Sequence, residues 1–290
     1  MPTAPGNPWL GRRVISYAHQ GGAWEAPSST LFTIRRALDL GATGIELDVH
    51  ATVDGHLVVT HDGTVDRTTN GQGPIHSLTL AEIRSLDNAY WFAPGADVSP
   101  GLEPGAYPYR GRAPDDHDFG IATLEEVLDL LDGHPGVALN LDIKATGPAV
   151  EPYEEKLAAT LAGHDHLDRV IVASFLDVVT EAFRRYAPGI ATSAGTLATA
   201  GFWRALNDGG EFPDLPYVAL QVPAVFGEQV LVDERFVAAA HGQGLAVHVW
   251  TINEEAEMAR LLDLGVDGLI SDRPAALVEL LDSRGAAWLL

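Results

Sequence analysis

The 290-residue sequence contains no cysteine, so disulfides, thiolate metal sites and cysteine nucleophiles are excluded, and any metal must sit on oxygen or imidazole. Basic residues are scarce too. Eighteen Lys and Arg stand against 40 Asp and Glu, a formal net charge of -22, which repels the phosphate backbone of nucleic acid and argues against a DNA or RNA partner. No apolar run is long enough to span a bilayer, and Met1 to Arg13 lacks the apolar core of a signal peptide. The expectation is a soluble, cytoplasmic chain without stable membrane insertion. No sequence feature fixes an oligomeric state. Most surface carboxylates simply solvate a face, so the acidic excess marks no site by itself.

Hydrophobic residues make up 46% of the chain, enough for one large core, and this length is common for a single α/β barrel domain spanning 1–290. Short β-branched or apolar runs alternate with amphipathic stretches, the pattern of repeated βα units. Strands are predicted at Val14–His19, Gly44–His50, Val137–Lys144, Val170–Ser174, Ile190–Gly195, Tyr217–Gln221, Ala246–Trp250 and Gly268–Ser271. Helices fit at Ser29–Leu40, Leu124–Asp132, Tyr153–Ala162, Asp177–Tyr186, Glu234–His241 and Glu254–Leu264, with the fifth intervening helix less distinct. Eight units favour a closed (β/α)8 TIM barrel over an open sheet. Leu40-Gly41-Ala42 and Leu264-Gly265-Val266 suit helices ended by glycine. Pro, Gly and aromatic residues break the rhythm between His61 and Thr123, so 63–118 reads as a small insertion after the second strand region. It would rise from the rim where barrel active sites gather.

In Ile45-Glu46-Leu47-Asp48-Val49-His50, period-two alternation puts Glu46, Asp48 and His50 on one face and the aliphatic residues on the other. If the aliphatic face meets the helices, Glu46 and Asp48 point into the barrel, where unpaired carboxylates need a cation or a shared proton. A hard divalent metal meets that need. Asp142 repeats the pattern on the third strand, with Lys144 beside it as a structural counter-ion, a point charge for a substrate phosphate, or both. His19 and His61 end strand-like runs at the same rim and suit a general acid and base. His50, His56 and His76 lack that joint support.

Further motifs complete a pattern. His19-Gln20-Gly21-Gly22, Glu46-Leu47-Asp48-Val49 and His61-Asp62 are followed by Asp66-Arg67-Thr68-Thr69-Asn70-Gly71, Leu141-Asp142-Ile143-Lys144, Val249-Trp250-Thr251-Ile252-Asn253 and Gly265-Val266-Asp267-Gly268. In this order the chain resembles glycerophosphodiester phosphodiesterases. The resemblance implies that Glu46, Asp48 and Asp142 bind Ca2+ or Mg2+, that His19 and His61 form the acid–base pair, and that Lys144 helps hold the phosphate of a small glycerophosphodiester. It also implies that the segment around 63–118 covers one side of the mouth. The attacking group would be water or the neighbouring glycerol hydroxyl.

Three departures from the family pattern bear on this. Gln20 stands where arginine is usual, offering a neutral amide toward phosphate. Asp142 replaces glutamate and reaches one methylene less far. Pro27-Ser28-Ser29-Thr30 replaces Pro-Glu-Asn-Thr, with Ser28 or Ser29 left to cap the first helix. His248 and Trp250 share a strand face and either could touch substrate, with core filling the other reading of Trp250. Two alternatives remain: a lysophospholipase D-type enzyme, with Tyr90-Trp91-Phe92 meeting an acyl chain or merely packing the insertion, and a binding barrel in which catalysis has decayed.

Overall fold

The structure is a computed structural model and describes residues 6–10, 13–144, 153–164 and 167–287, which leaves part of the Met1–Arg13 stretch outside the described residues. The first half of the chain supplies β1 (Ile15–His19), α1 (Leu31–Asp39), β2 (Gly44–Ala51), β3 (Leu57–Val59), α2 (Leu80–Arg84), α3 (Leu124–Asp132) and β4 (Ala138–Ile143). There follow α4 (Tyr153–Ala162), β5 (Val170–Ala173), α5 (Asp177–Tyr186), β6 (Ala191–Ala194), α6 (Thr196–Asp208) and β7 (Ala219–Pro223). The chain continues with β8 (Val225–Phe226), β9 (Gln229–Val230), α7 (Glu234–Gly242), β10 (Ala246–Trp250), α8 (Glu255–Leu264), β11 (Gly268–Ser271) and α9 (Pro274–Arg284).

Parallel strands run β1-β11-β10-β7-β6-β5-β4-β2, and pairing of β1 with β2 closes the ring. This is the eight-stranded barrel expected from the sequence. The predicted spans of β10 and β11 hold, while Tyr217–Gln221 shifts to Ala219–Pro223. The indistinct fifth helix is α6, whose Thr196, Thr199 and Gly201 weaken its helical signal. Among the described residues no helix is long and apolar enough to cross a membrane.

Alternation builds both faces of the wall. Ile45, Leu47 and Val49 of β2 and Leu139, Leu141 and Ile143 of β4 face outward, packing with Ile34 of α1, Val127 of α3 and Leu157 of α4. The inward residues form layers, as in other barrels of this type. Ile15, Tyr17, Ala138, Ile171, Ala219, Ala246 and Ile270 fill the interior. Tyr17 requires glycine on the neighbouring strands: a Cβ on Gly44 would sit 2.5 Å from its Cδ1, and one on Gly268 would sit 3.1 Å from its Cε2 and 2.9 Å from the His248 ring. Inward positions nearer the C-terminal ends are polar and build the site described below.

Two local expectations change. The first helix is capped by Thr30, whose hydroxyl accepts from the Thr33 N–H, and not by Ser28 or Ser29. Ser29 instead takes a left-handed conformation, φ 55°, with its N–H on the Gln20 carbonyl. The segment 63–118 follows β3, which lies outside the ring and runs antiparallel to the end of β2 with Val49 opposite Val59. Val65, Ile75, Ile83 and Ile121 pack with Val58 in a small satellite core. Tyr107, Tyr90 and Trp91 surround the Arg110 guanidinium at 3.6, 4.3 and 4.7 Å, while Phe92 lies against Tyr109. The aromatic run therefore packs the insertion.

His248 sits wholly inside the barrel, and burial pushes its pKa from 6.5 down to about 4. The unfolded chain then binds a proton before the folded one does, so stability present above pH 6.5 is lost as pH falls toward 4. Denaturant titrations at pH 7 and 5 are expected to show wild type losing about 2 kcal/mol more than His248→Gln. Equal losses would refute the neutral buried imidazole.

Candidate active site

The C-terminal ends of β1, β2 and β4 lie side by side, with His19 opposite Glu46 and Asp48 opposite Asp142. Register and alternation thus bring together the three acids predicted from sequence. Glu46, Asp48 and Asp142 are 6%, 1% and 8% exposed. The Lys144 ammonium stands between two of them, 2.8 Å from Asp48 Oδ1 and 2.8 Å from Asp142 Oδ2. Burial opposes its charge, but both carboxylates raise its pKa and keep it protonated. Lys144 is thus a counter-ion here, the first of its two sequence readings.

One ammonium does not satisfy this group. Asp48 Oδ2 and Asp142 Oδ1 are buried with no hydrogen-bond partner. Burial, then the charge of Asp48, raises the Glu46 pKa to about 8, despite the opposing pull of His19 and Lys144. Burial likewise raises Asp142, with Lys144 pulling the other way. Orphaned carboxylate oxygens on a hard, all-oxygen donor set fit a divalent cation. In the present arrangement the three acids do not converge as a ligand cluster. Among the described residues only Asp129, Asp132 and His164 converge in that way, on α3 and just past α4, where Asp129 and Asp132 are exposed and His164 already pairs with Asp132 at 3.3 Å.

The two predicted histidines face each other, ring centroids 6.4 Å apart and planes at 79°. Each is fixed through Nδ1 by a carboxylate. Asp272, just past β11, holds His19 at 2.6 Å and is itself held by the Asn253 amide at 2.7 Å. Asp62 holds His61 at 2.7 Å and pairs with Arg67, which also pairs with Asp97. These bonds leave His61 Nε2 for proton work, while His19 Nε2 lies 3.3 Å from the Gln20 amide nitrogen and 3.7 Å from Glu46 Oε2. Burial disfavours the charged His19 ring, but Glu46 and the Asp272 bond and charge outweigh it and raise its pKa to about 9. The His61 bond, with Arg67, draws Asp62 down to about 2 despite its burial. His50 supports from behind, its Nε2 3.3 Å from the His61 carbonyl.

A cavity of about 670 Å³ opens above these groups. His19, Glu46, Asp48, His61, Asp142 and Lys144 line its floor, and Trp250 lines its wall, edge-on to Phe175 at 5.7 Å. Gln20 is not among the lining residues. It takes a left-handed turn, φ 51°, is 4% exposed, and places its amide nitrogen 3.3 Å from His19 Nε2. His248 also lies outside the lining, one layer below, beside Gln221. No residue of 63–118 lines the cavity, but Arg67 of that segment pairs with Asp62, which holds the lining residue His61. The segments after β5, β6 and β7 line it, through residues such as Phe175, Trp203 of α6 and Phe226 of β8.

Sequence reasoning missed Asp272, Asp62, Arg67 and Asn253 as orienting residues. Asp62 and Arg67 were visible as motif members; the 253-residue separation between His19 and Asp272 hid that pair.

Comparison with known proteins agrees with this geometry. The model of the glycerophosphoryl diester phosphodiesterase family matches residues 19–276. A glycerophosphodiester phosphodiesterase of Caldanaerobacter subterraneus subsp. tengcongensis is 31% identical over 94% of this chain and 100% of its own length. One from Bacillus subtilis is 31% identical over 90% of this chain and 84% of its length. The solved structure of an Oleispira antarctica phosphodiesterase, in complex with the product sn-glycerol-3-phosphate, superposes with a TM-score of 0.70 at 24% identity, covering 93% of this chain and 97% of that one. Its likeness bears on the fold alone. With a family model matched over most of its length and two relatives above 30% identity, the chain belongs to the glycerophosphoryl diester phosphodiesterase family of phosphoric diester hydrolases.

Proposed function

We propose that this protein hydrolyses glycerophosphodiesters to glycerol 3-phosphate and an alcohol, using His19 and His61 as the acid–base pair. The observation that carries this reading is the facing pair of carboxylate-anchored imidazoles, 6.4 Å apart, over a floor of three buried acids. One ring takes the proton of the attacking oxygen as the new P–O bond forms. The other gives a proton to the departing alkoxide as the old P–O bond breaks. Asp272 and Asp62 bind Nδ1 of each ring and so turn Nε2 toward the substrate. No covalent protein nucleophile is required.

Glu46, Asp48 and Asp142 would hold a divalent cation, Ca2+ or Mg2+, supported by the unpartnered oxygens on Asp48 and Asp142. When bound, such an ion neutralises phosphate oxygens as negative charge builds. Lys144 adds positive charge at the same floor and would help hold the phosphate. Gln20, tucked against His19, serves this reading as a neighbour that positions the ring. The complete set of histidines and acids favours an active enzyme over a decayed binding barrel.

His19→Ala and His61→Ala are each expected to lower turnover of glycerophosphocholine by about 10² to 10⁴ with fold and metal affinity retained. A nitrophenyl leaving group needs little protonation, so it should rescue one variant and not the other. Near-normal turnover by both on glycerophosphocholine would remove the acid–base assignment.

Glu46→Gln and Asp48→Asn each delete a negative hard ligand and are expected to weaken Ca2+ or Mg2+ binding at least about tenfold, read by calorimetry. Unchanged affinity in both would place the metal elsewhere.

A further inference from the structure

The insertion stays out of the cavity, yet one of its loops reaches the carboxylate anchors of both histidines. That loop is 93–99, a turn in which Ala93 bridges to Ala96. On one side the Asp97 carboxylate pairs with Arg67 Nη1, Arg67 Nε donates to Asp62 Oδ2 at 2.5 Å, and Asp62 Oδ1 accepts from His61 Nδ1 at 2.7 Å. On the other side the Gly95 N–H donates to the Trp24 carbonyl at 2.8 Å. The Trp24 N–H in turn donates at 3.2 Å to the carbonyl of Asp272, the residue whose carboxylate holds His19. The base of the loop is closed as well. The Ser99 N–H donates to the Trp91 carbonyl, the Tyr107 hydroxyl donates to the Ser99 carbonyl at 2.7 Å, and the rings of Trp91 and Tyr107 lie against Arg110.

We propose that this loop is a brace, in which Asp97 and Arg67 are positioning residues that fix the His61 ring relative to His19. The inference rests on the acid–base reading and names the part of the chain that sets the geometry of the pair. Three observations separate it from phosphate binding by Arg67 and from packing alone. Arg67 and Asp97 do not line the cavity, so the guanidinium does not face substrate. Arg67 applies different nitrogens to two carboxylates, which fixes the plane of Asp62 in a way that a point charge does not. The other oxygen of Asp97, Oδ1, is buried without a partner, a cost that packing does not require. Restraint of Arg67 is what that carboxylate achieves. Asp62 needs the restraint, because its side chain is 30% exposed and would otherwise turn into water. An ionised carboxylate can only accept, so while Asp62 stays in place a neutral His61 ring carries its proton on Nδ1 and keeps Nε2 open.

Asp97→Ala and Arg67→Lys are each expected to lower kcat on glycerophosphocholine about tenfold or more at unchanged KM, since a misplaced ring slows chemistry without touching binding. Asp97→Asn keeps an oxygen for Arg67 and should recover most of that loss. In a His61→Ala background neither substitution should lower turnover further, because the group they position is gone. Nitrogen-15 NMR of the His61 ring reads the same brace without turnover. The neutral ring should leave the Nδ1–H form in Asp97→Ala and Arg67→Lys and keep it in Asp97→Asn. A wild-type ring form and kcat in Asp97→Ala and Arg67→Lys overturn the brace. So does a loss that persists undiminished in the His61→Ala background, the mark of a loop that acts on structure alone. If the ring responds as expected while wild type turns over no phosphodiester, the brace stands and the hydrolase reading fails.

Discussion

The architecture of this site follows from burying three carboxylates on two adjacent barrel strands. Glu46, Asp48 and Asp142 point inward because period-two alternation gives their neighbours Leu47, Val49 and Leu141 to the helices. Lys144 and, at 3.7 Å from Glu46, the His19 ring offset these charges only in part, and the three side chains are almost wholly buried. Desolvation of that kind is tolerated only when a charge or proton arrives to offset it. The raised pKa of Glu46 and the unpartnered oxygens of Asp48 and Asp142 are two expressions of one unmet demand, and a divalent cation matches it in sign.

The histidines depend on the same floor. His19 lies beside Glu46 in register, and His61 is delivered by the antiparallel ribbon that folds back on β2. Each then needs its own carboxylate to fix the ring, and the chain draws these from distant places, Asp272 after the last barrel strand and Asp62 next door to His61. Barrel closure between β1 and β11 is what brings Asp272 to His19, so the completeness of the fold and the orientation of a catalytic candidate are one condition. Gly44 and Gly268 contribute below, since without them Tyr17 could not fill the barrel under the acids.

Much of this was legible in the residues. Alternation alone placed Glu46, Asp48 and Asp142 on inward faces, and the motif order pointed to the family. What was hidden depends on long-range contact. His248 shares a strand face with Trp250, yet one layer of depth separates a buried imidazole from a cavity wall, and periodicity carries no depth. The insertion was visible as a break in rhythm, but its aromatic residues close on Arg110 and Phe119 and stay away from the cavity. The apolar wall escaped notice because Phe175, Trp203 of α6 and Phe226 of β8 come from three separate segments with no shared motif.

Diffraction from crystals soaked in Mn2+, recorded for anomalous scattering, addresses the unmet charge directly. Mn2+ takes the same oxygen donors as Mg2+ and Ca2+. A peak is expected among Glu46, Asp48 and Asp142. Absence of density there, with binding confined to Asp129, Asp132 and His164 at the surface, would show that the buried acids are balanced by Lys144 and protons alone.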